Sequence, residues 1–269
     1  VSTSRSVDEA NAAFWDELCG SNFAIELGIT DRTPESLARF DRAYLDYYPY
    51  LLGHVPVASM RGQRILEIGL GYGTLSQKIT EAGAEYHGLD IAAGPVSMVN
   101  HRLRMAGLPG EARQGNMLKC PHPDGSLDGV VSIGCFHHTG DLQRCLDETW
   151  RVLKPGGRAF IMVYNRFSLR QWTLWPGPTL RAALGFSAPV LDAQRKLYDP
   201  DTAGGGAPET VFTGARELRT MMRRFSQVQV RRENCDDLRW RGKHYVDRRR
   251  LLPLVGPVLG LDLYASAVK

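Results

Sequence analysis

The stretch Ile65-Leu66-Glu67-Ile68-Gly69-Leu70-Gly71-Tyr72-Gly73-Thr74 decides how this chain of 269 residues is read. A short β-rich run, Arg64–Ile68, enters a turn with three glycines, and Leu75, Ile79 and Ala82 then mark a helix stopped at Gly83. Glycine lets the backbone take positive φ and lets a ligand approach the main chain closely. A ligand of such a turn sits over the carboxyl end of a parallel sheet, near the helix N-terminus. The dinucleotide fingerprint G-x-G-x-x-G needs a third glycine where this chain has Thr74, counting from Gly69, or Ser76, counting from Gly71. What stands here is E-x-G-x-G-x-G. An acid at Glu67 repels a pyrophosphate but suits a ligand that carries a cationic amine, which disfavours NAD.

Outward from the loop, strands and helices alternate. Tyr86–Asp90 reads as a second strand, and Pro95 opens a helix with Val96, Val99 and Leu103 on one face, ending near Gly107. Ala112–Asn116 reads as a third strand, and Gly129–Gly134 is an apolar run of the kind found in buried parallel strands. Leu142, Cys145, Leu146 and Val152 form a helical face closed by Pro155-Gly156-Gly157, after which Arg158–Tyr164 is a fifth strand. Glu217–Phe225 reads as a helix, and Val228–Arg232 and Asp262–Val268 as strands that pair antiparallel at the sheet edge. The alternation predicts an α/β, doubly wound sheet.

The glycine block resembles motif I of the class I S-adenosylmethionine-dependent methyltransferases, in particular the ubiquinone/menaquinone C-methyltransferase-like branch. Further matches follow in order: Asp90 closing YHGLD, Asn116-Met117 after the third strand, SIGCFHH from Ser132 to His138, and Leu153-Lys154-Pro155-Gly156-Gly157 before strand five. They cover roughly 63–160 well and the rest weakly. The resemblance implies a seven-stranded, mostly parallel, Rossmann-like sheet with an antiparallel last strand. It also implies S-adenosyl-L-methionine as cofactor. Glu67 would partner its ammonium through water, Gly69, Gly71 and Gly73 would form the turn, Asp90 would take the ribose hydroxyls with Ile91 beside it in the cofactor site, and Asn116 and Met117 would border the adenine. Gly134 would close the site after strand four. Asn116 stands where the family often has Asp, and a neutral amide still hydrogen-bonds an adenine amine.

Beyond the core, residues 1–60 are expected to form a helical cap and 61–269 the catalytic domain, with a lid inserted at about 166–213. The cap has capping-box spacing at Ser6 and Glu9, then Val7, Ala10, Phe14 and Leu18 at helical intervals. A second helix starts at Thr33-Pro34, with Leu37, Phe40, Tyr44, Tyr47, Tyr48 and Leu51 on one face and Pro49 bending or ending it. The lid follows from about fifty residues between Tyr164 and Glu217, too many for a plain loop.

His138 and His137 follow strand four, at the rim where a transferable methyl should lie, and are the candidates for a general base. Tyr44, Tyr48, Tyr164, Trp172 and Trp175 are candidates for acceptor contact, although tyrosines at helical spacing more often fill a core. No metal site is expected, because adjacent histidines point apart and no Cys/His/Asp cluster follows.

Composition sets the outer bounds. With 43% hydrophobic and 23% charged residues the chain is an ordinary globular protein, which excludes disordered and disulfide-scaffold classes. Its five cysteines (Cys19, Cys120, Cys135, Cys145, Cys235) include no Cys-x-x-Cys pair and suggest a reducing compartment. No signal peptide or span is visible, so a cytoplasmic location is expected. The net charge of +4 divides unevenly: from Gly214 onward 13 Lys/Arg face 6 Asp/Glu. The run Arg239–Arg250, with Trp240, His244 and Tyr245 interleaved, leaves an RNA or peptide methyltransferase as an alternative to a small organic, anionic or aromatic, acceptor. Nucleic acid remains the minority reading, and a NAD-dependent oxidoreductase is the second alternative.

Overall fold

The computed structural model describes residues 4–17, 22–240 and 243–269, and the side chains of 4–6 and 239–240 are not described. Leu18, Cys19 and Arg241 therefore lie outside the described residues. Among the described residues four α-helices precede the sheet: α1 (Ser4–Glu17), α2 (Asn22–Glu26), α3 (Pro34–Tyr47) and α4 (Leu51–His54). The first is described from Ser4, so the backbone at Ser6 is already helical. Helix α3 starts as read, with Thr33 Oγ1 accepting from Ser36 N and proline at the first helical position.

The alternating part contains β1 (Arg64–Ile68), α5 (Thr74–Glu81), β2 (Glu85–Asp90), α6 (Ala93–Met105), β3 (Glu111–Gln114), β4 (Leu127–Ile133), α7 (Leu142–Val152) and β5 (Leu153–Tyr164). Three short helices follow, α8 (Leu169–Leu174), α9 (Pro176–Ala183) and α10 (Asp192–Tyr198), all within the insertion read between strand five and the next helix. Then come α11 (Ala215–Met221), β6 (Ser226–Glu233), a hairpin of β7 (Leu238–Trp240) and β8 (Lys243–Val246), α12 (Arg248–Leu259) and β9 (Asp262–Val268).

Seven strands form one sheet in the order β3-β2-β1-β4-β5-β9-β6. The first five run parallel, and β9 inserts antiparallel to both β5 and β6. This is the mostly parallel, doubly wound sheet that the alternation implies. Buried runs such as Val130, Val131 and Ser132, all 0% exposed, show why β4 is apolar on both faces: helices cover both sides. Strand order reverses between β1 and β4, so the crevice at their carboxyl ends is where such a fold binds its ligand.

Two readings need correction. The helix read at Glu217–Phe225 runs from Ala215 to Met221. Helix α12 was not read at all, because Pro253 and Pro257 lie inside it and proline removes interior hydrogen bonds. It packs against β6, and this tertiary contact overrides the local signal.

Candidate active site

The turn after β1 takes positive φ at Gly69 (77°), Gly71 (51°) and Gly73 (83°). At Gly69 the demand is steric as well, since a Cβ would fall on the Cys135 side chain. Gly69→Ala is therefore expected to cost about 2–4 kcal/mol, from the left-handed backbone plus overpacking, measurable by urea unfolding.

Above this turn lies a cavity of about 750 Å³, counted to its mouth. Its wall is built from the carboxyl ends of four adjacent strands: Ile68, Gly69 and Gly71 after β1, Leu89, Asp90 and Ile91 after β2, Gly115, Asn116 and Met117 after β3, and Ile133, Gly134 and Cys135 after β4. His138 and Thr139 close one side, and Asp8, Asn11 and Trp15 of α1 form the roof. Asp90 is 8% exposed; its Oδ2 accepts from Leu70 N at 2.8 Å and its Oδ1 from Ala92 N at 2.9 Å. Each carboxylate oxygen keeps a further lone pair for a hydroxyl donor. Burial pushes the Asp90 carboxyl up, while the Ala92 and Leu70 amides pull the other way. Asn116 accepts from Leu118 N through Oδ1 and donates from Nδ2 to Asp8 Oδ2 at 2.8 Å.

The charges of the wall decide what it can hold. Among the described residues the lining includes two carboxylates, Asp8 and Asp90, and no lysine or arginine. Such a wall favours a cationic ligand and opposes a pyrophosphate. Its Ile68, Leu89, Ile91, Met117 and Ile133 suit a flat apolar ring. The residues present thus fit an adenosyl sulfonium: Asp90 to take the ribose hydroxyls, the apolar residues to border the ring, and the open glycine turn to pass the amino-acid end.

Several sequence candidates are placed elsewhere. Glu67 does not line the cavity; it is 3% exposed, and its Oε2 accepts from Ser76 Oγ at 2.5 Å and Tyr86 Oη at 2.8 Å, tying β1 to α5 and β2. Burial pushes its carboxyl up to about 7, with the two hydroxyls opposing. Folded Glu67 thus keeps a proton that the unfolded chain releases above about 4.5, so its contribution is present below that pH and is lost as pH rises through about 7. Glu67→Gln is expected to remove on the order of 3 kcal/mol of the stability lost between pH 4.5 and 8, read from urea midpoints across that range. Asp262, whose carboxyl burial also raises to about 7, leaves a residual slope of the same sign.

His137 is 0% exposed, away from the cavity, packed between the His138 and Tyr164 rings at 4.1 Å from each. Burial, with His138 beside it, drives its pKa well down, so the ring stays neutral and packs where a general base was expected. Tyr44 and Tyr48 do not line the cavity either. They join an aromatic core, Tyr44 stacked on Phe40 at 5.7 Å and 5.0 Å from Tyr48. Trp172 and Trp175 lie on α8 and at its end, off the cavity wall. Gly73 shapes the turn without touching the cavity, its side-chain space filled by Arg102 and Val99.

His138 is the histidine that reaches the cavity. It is 4% exposed, donates from Nδ1 to Glu209 O at 2.8 Å, and packs on Trp15 at 4.9 Å between ring centres. Asn11 Nδ2 donates to its carbonyl at 2.8 Å. Asp8, Asn11 and Trp15 went unread, although their i, i+3, i+7 spacing places them on one helix face.

The basic C-terminal run is partly structural. Arg248 is 6% exposed, bonds Asn234 Oδ1 and Cys235 O, and lies 3.8 Å over the Tyr47 ring. Asp237, His244 and Asp247 cluster nearby, yet Asp237 and Asp247 already accept from Arg248 N and Arg249 N at the start of α12.

Comparison with known proteins agrees with this geometry. Residues 66–161 match the family described as Methyltransferase domain. The chain carries a class I methyltransferase fold. A ubiquinone/menaquinone biosynthesis C-methyltransferase of Vibrio cholerae is 32% identical over 143 residues, 51% of this chain and 46% of its own length. A sterol 24-C-methyltransferase of Gibberella zeae is 33% identical over 121 residues, 44% of this chain and 31% of its own. This chain therefore spans less than half the length of these two relatives. Among solved structures, the YcgJ protein of Bacillus subtilis superposes with a TM-score of 0.58 at 18% identity, covering 82% of this chain and 98% of that one. The methyltransferase sheet accounts for the cavity's place at the carboxyl ends of β1, β2, β3 and β4. Among the described residues no helix is long and apolar enough to cross a membrane.

Proposed function

We propose that this chain is an S-adenosylmethionine-dependent methyltransferase acting on a small organic acceptor. The observation that carries the reading is the cavity wall, with Asp90 on the β2 end, Asp8 in the α1 roof and, among the described residues, no lysine or arginine. S-adenosylmethionine supplies a sulfonium methyl open to in-line displacement. The protein's part is to hold a nucleophile in line with it, and such positioning is worth roughly 7–11 kcal/mol at best. Helix α1 and the segment 166–213 serve as cap and lid that keep water out. His138, the one buried histidine on the wall, is the group to receive a proton from a hydroxyl, amine or activated-carbon acceptor; a carboxylate acceptor needs none.

The named activities of the relatives, quinone and sterol C-methylation, point toward apolar cyclic acceptors. Transfer of radiolabelled methyl to panels of quinols, phenols, sterols and RNA tests the reading. Label in an organic-soluble small molecule is expected. Label confined to RNA would favour the alternative built on the basic run, and NAD turnover would favour an oxidoreductase.

A further inference from the structure

His138 meets an acid that its own strand does not supply. Asp199 follows the last residue of α10, in the lid, and its Oδ2 lies 3.6 Å from His138 Nε2. Both atoms are buried, and neither has a hydrogen-bond partner. Groups around them are bonded in part, although both ring nitrogens of His137 and Asn11 Oδ1 also lack a partner. Tyr164 Oη donates to Asp199 Oδ1 at 2.9 Å, and His138 Nδ1 is held by the Glu209 carbonyl. Val211 N donates to His137 O at 2.8 Å, so the segment returning from the lid is stitched to the histidine turn itself.

Two unsatisfied polar atoms face to face in a buried place cost free energy unless something joins them. One proton between them would do so, turning the ring into an imidazolium beside a carboxylate. Transfer of a methyl cation equivalent to a neutral O–H or N–H acceptor releases one proton as the sulfonium becomes a neutral thioether. We propose that Asp199 is a positioning residue that acts through His138, so that the closed lid completes a two-residue store for that proton. The assignment rests on the methyltransferase reading and narrows it to acceptors that must lose a proton. The charged and titratable groups facing the pair are His137 and Tyr164 from the core and Arg170 from α8. Trp15 covers the other side of the His138 ring.

The test needs no acceptor. Protein labelled with ¹³C at aspartate carboxyls is saturated with S-adenosylhomocysteine, and the Asp199 resonance is followed against pH. In His138→Gln the Asp199 titration midpoint is expected to rise by at least about one pH unit, because a facing positive charge is lost. His138→Asn serves if the glutamine variant does not fold. Affinity for S-adenosylhomocysteine is expected to stay within threefold of wild type in Asp199→Asn, whose residue is not among those lining the cavity. An unmoved Asp199 midpoint with intact S-adenosylhomocysteine binding overturns this assignment alone. Failure of wild type to bind S-adenosylhomocysteine overturns the underlying reading instead.

Discussion

Asp41→Ala is expected to lower the unfolding free energy by about 3–5 kcal/mol, because it strands a buried guanidinium. Arg102 has a side chain only 1% exposed and meets Asp41 through two bonds of 2.9 Å, with a third to Gln77 Oε1 at 3.1 Å. Asp41 also accepts from Thr74 Oγ1 at 2.6 Å. Helix α3 is thereby fastened to α6 and to the first residue of α5, and the Arg102 stem fills the space beside Gly73. At about 2–4 °C per kcal/mol for a chain of this size, the melting temperature should fall by roughly 6–20 °C. The pair also supplies its own control. Asp41→Ala combined with Arg102→Met removes both charges and should recover most of the loss. A single-variant loss under about 1 kcal/mol would show that α3 does not depend on this pair.

Asp90→Ala is expected to weaken S-adenosylhomocysteine binding at least about a hundredfold. Hydrogen bonds to a charged group are worth about 1.5–3 kcal/mol each, and two hydroxyls would lean on this carboxylate. The Leu70 and Ala92 amides lose their acceptor in the same change, which loosens the glycine turn. Asp90→Asn keeps the shape and one acceptor oxygen, so it should fall between wild type and alanine. Titration calorimetry reads all three, and equal affinities would remove Asp90 from the site.

The strands and the glycine turn were legible because their signals are local. A buried parallel strand reads as an apolar run, as Gly129–Gly134 did for β4, and the turn after β1 needs glycine wherever φ is positive. The fold followed from counting such alternations. The site was legible only where it is made of strand ends: Gly69, Gly71, Asp90, Ile91, Asn116, Met117 and Gly134 all line the cavity. What escaped depends on distance along the chain. Asp199 reaches His138 only because α10 folds back over the sheet, and no spacing in the sequence records that. Glu67 shows what a motif position leaves open. Its motif position suggested a ligand, but alternation along β1 turns its side chain toward Tyr86 and Ser76. His137 and His138 are adjacent, and only tertiary packing separates a buried packing ring from one at the cavity wall.

The cavity's shape and charge suit an adenosyl sulfonium rather than a dinucleotide. Calorimetric titration of the wild-type chain with S-adenosylhomocysteine, with NAD in parallel, tests this most directly. Saturable one-to-one binding of S-adenosylhomocysteine and no heat from NAD is the result expected. Saturable NAD binding with no response to S-adenosylhomocysteine would contradict it.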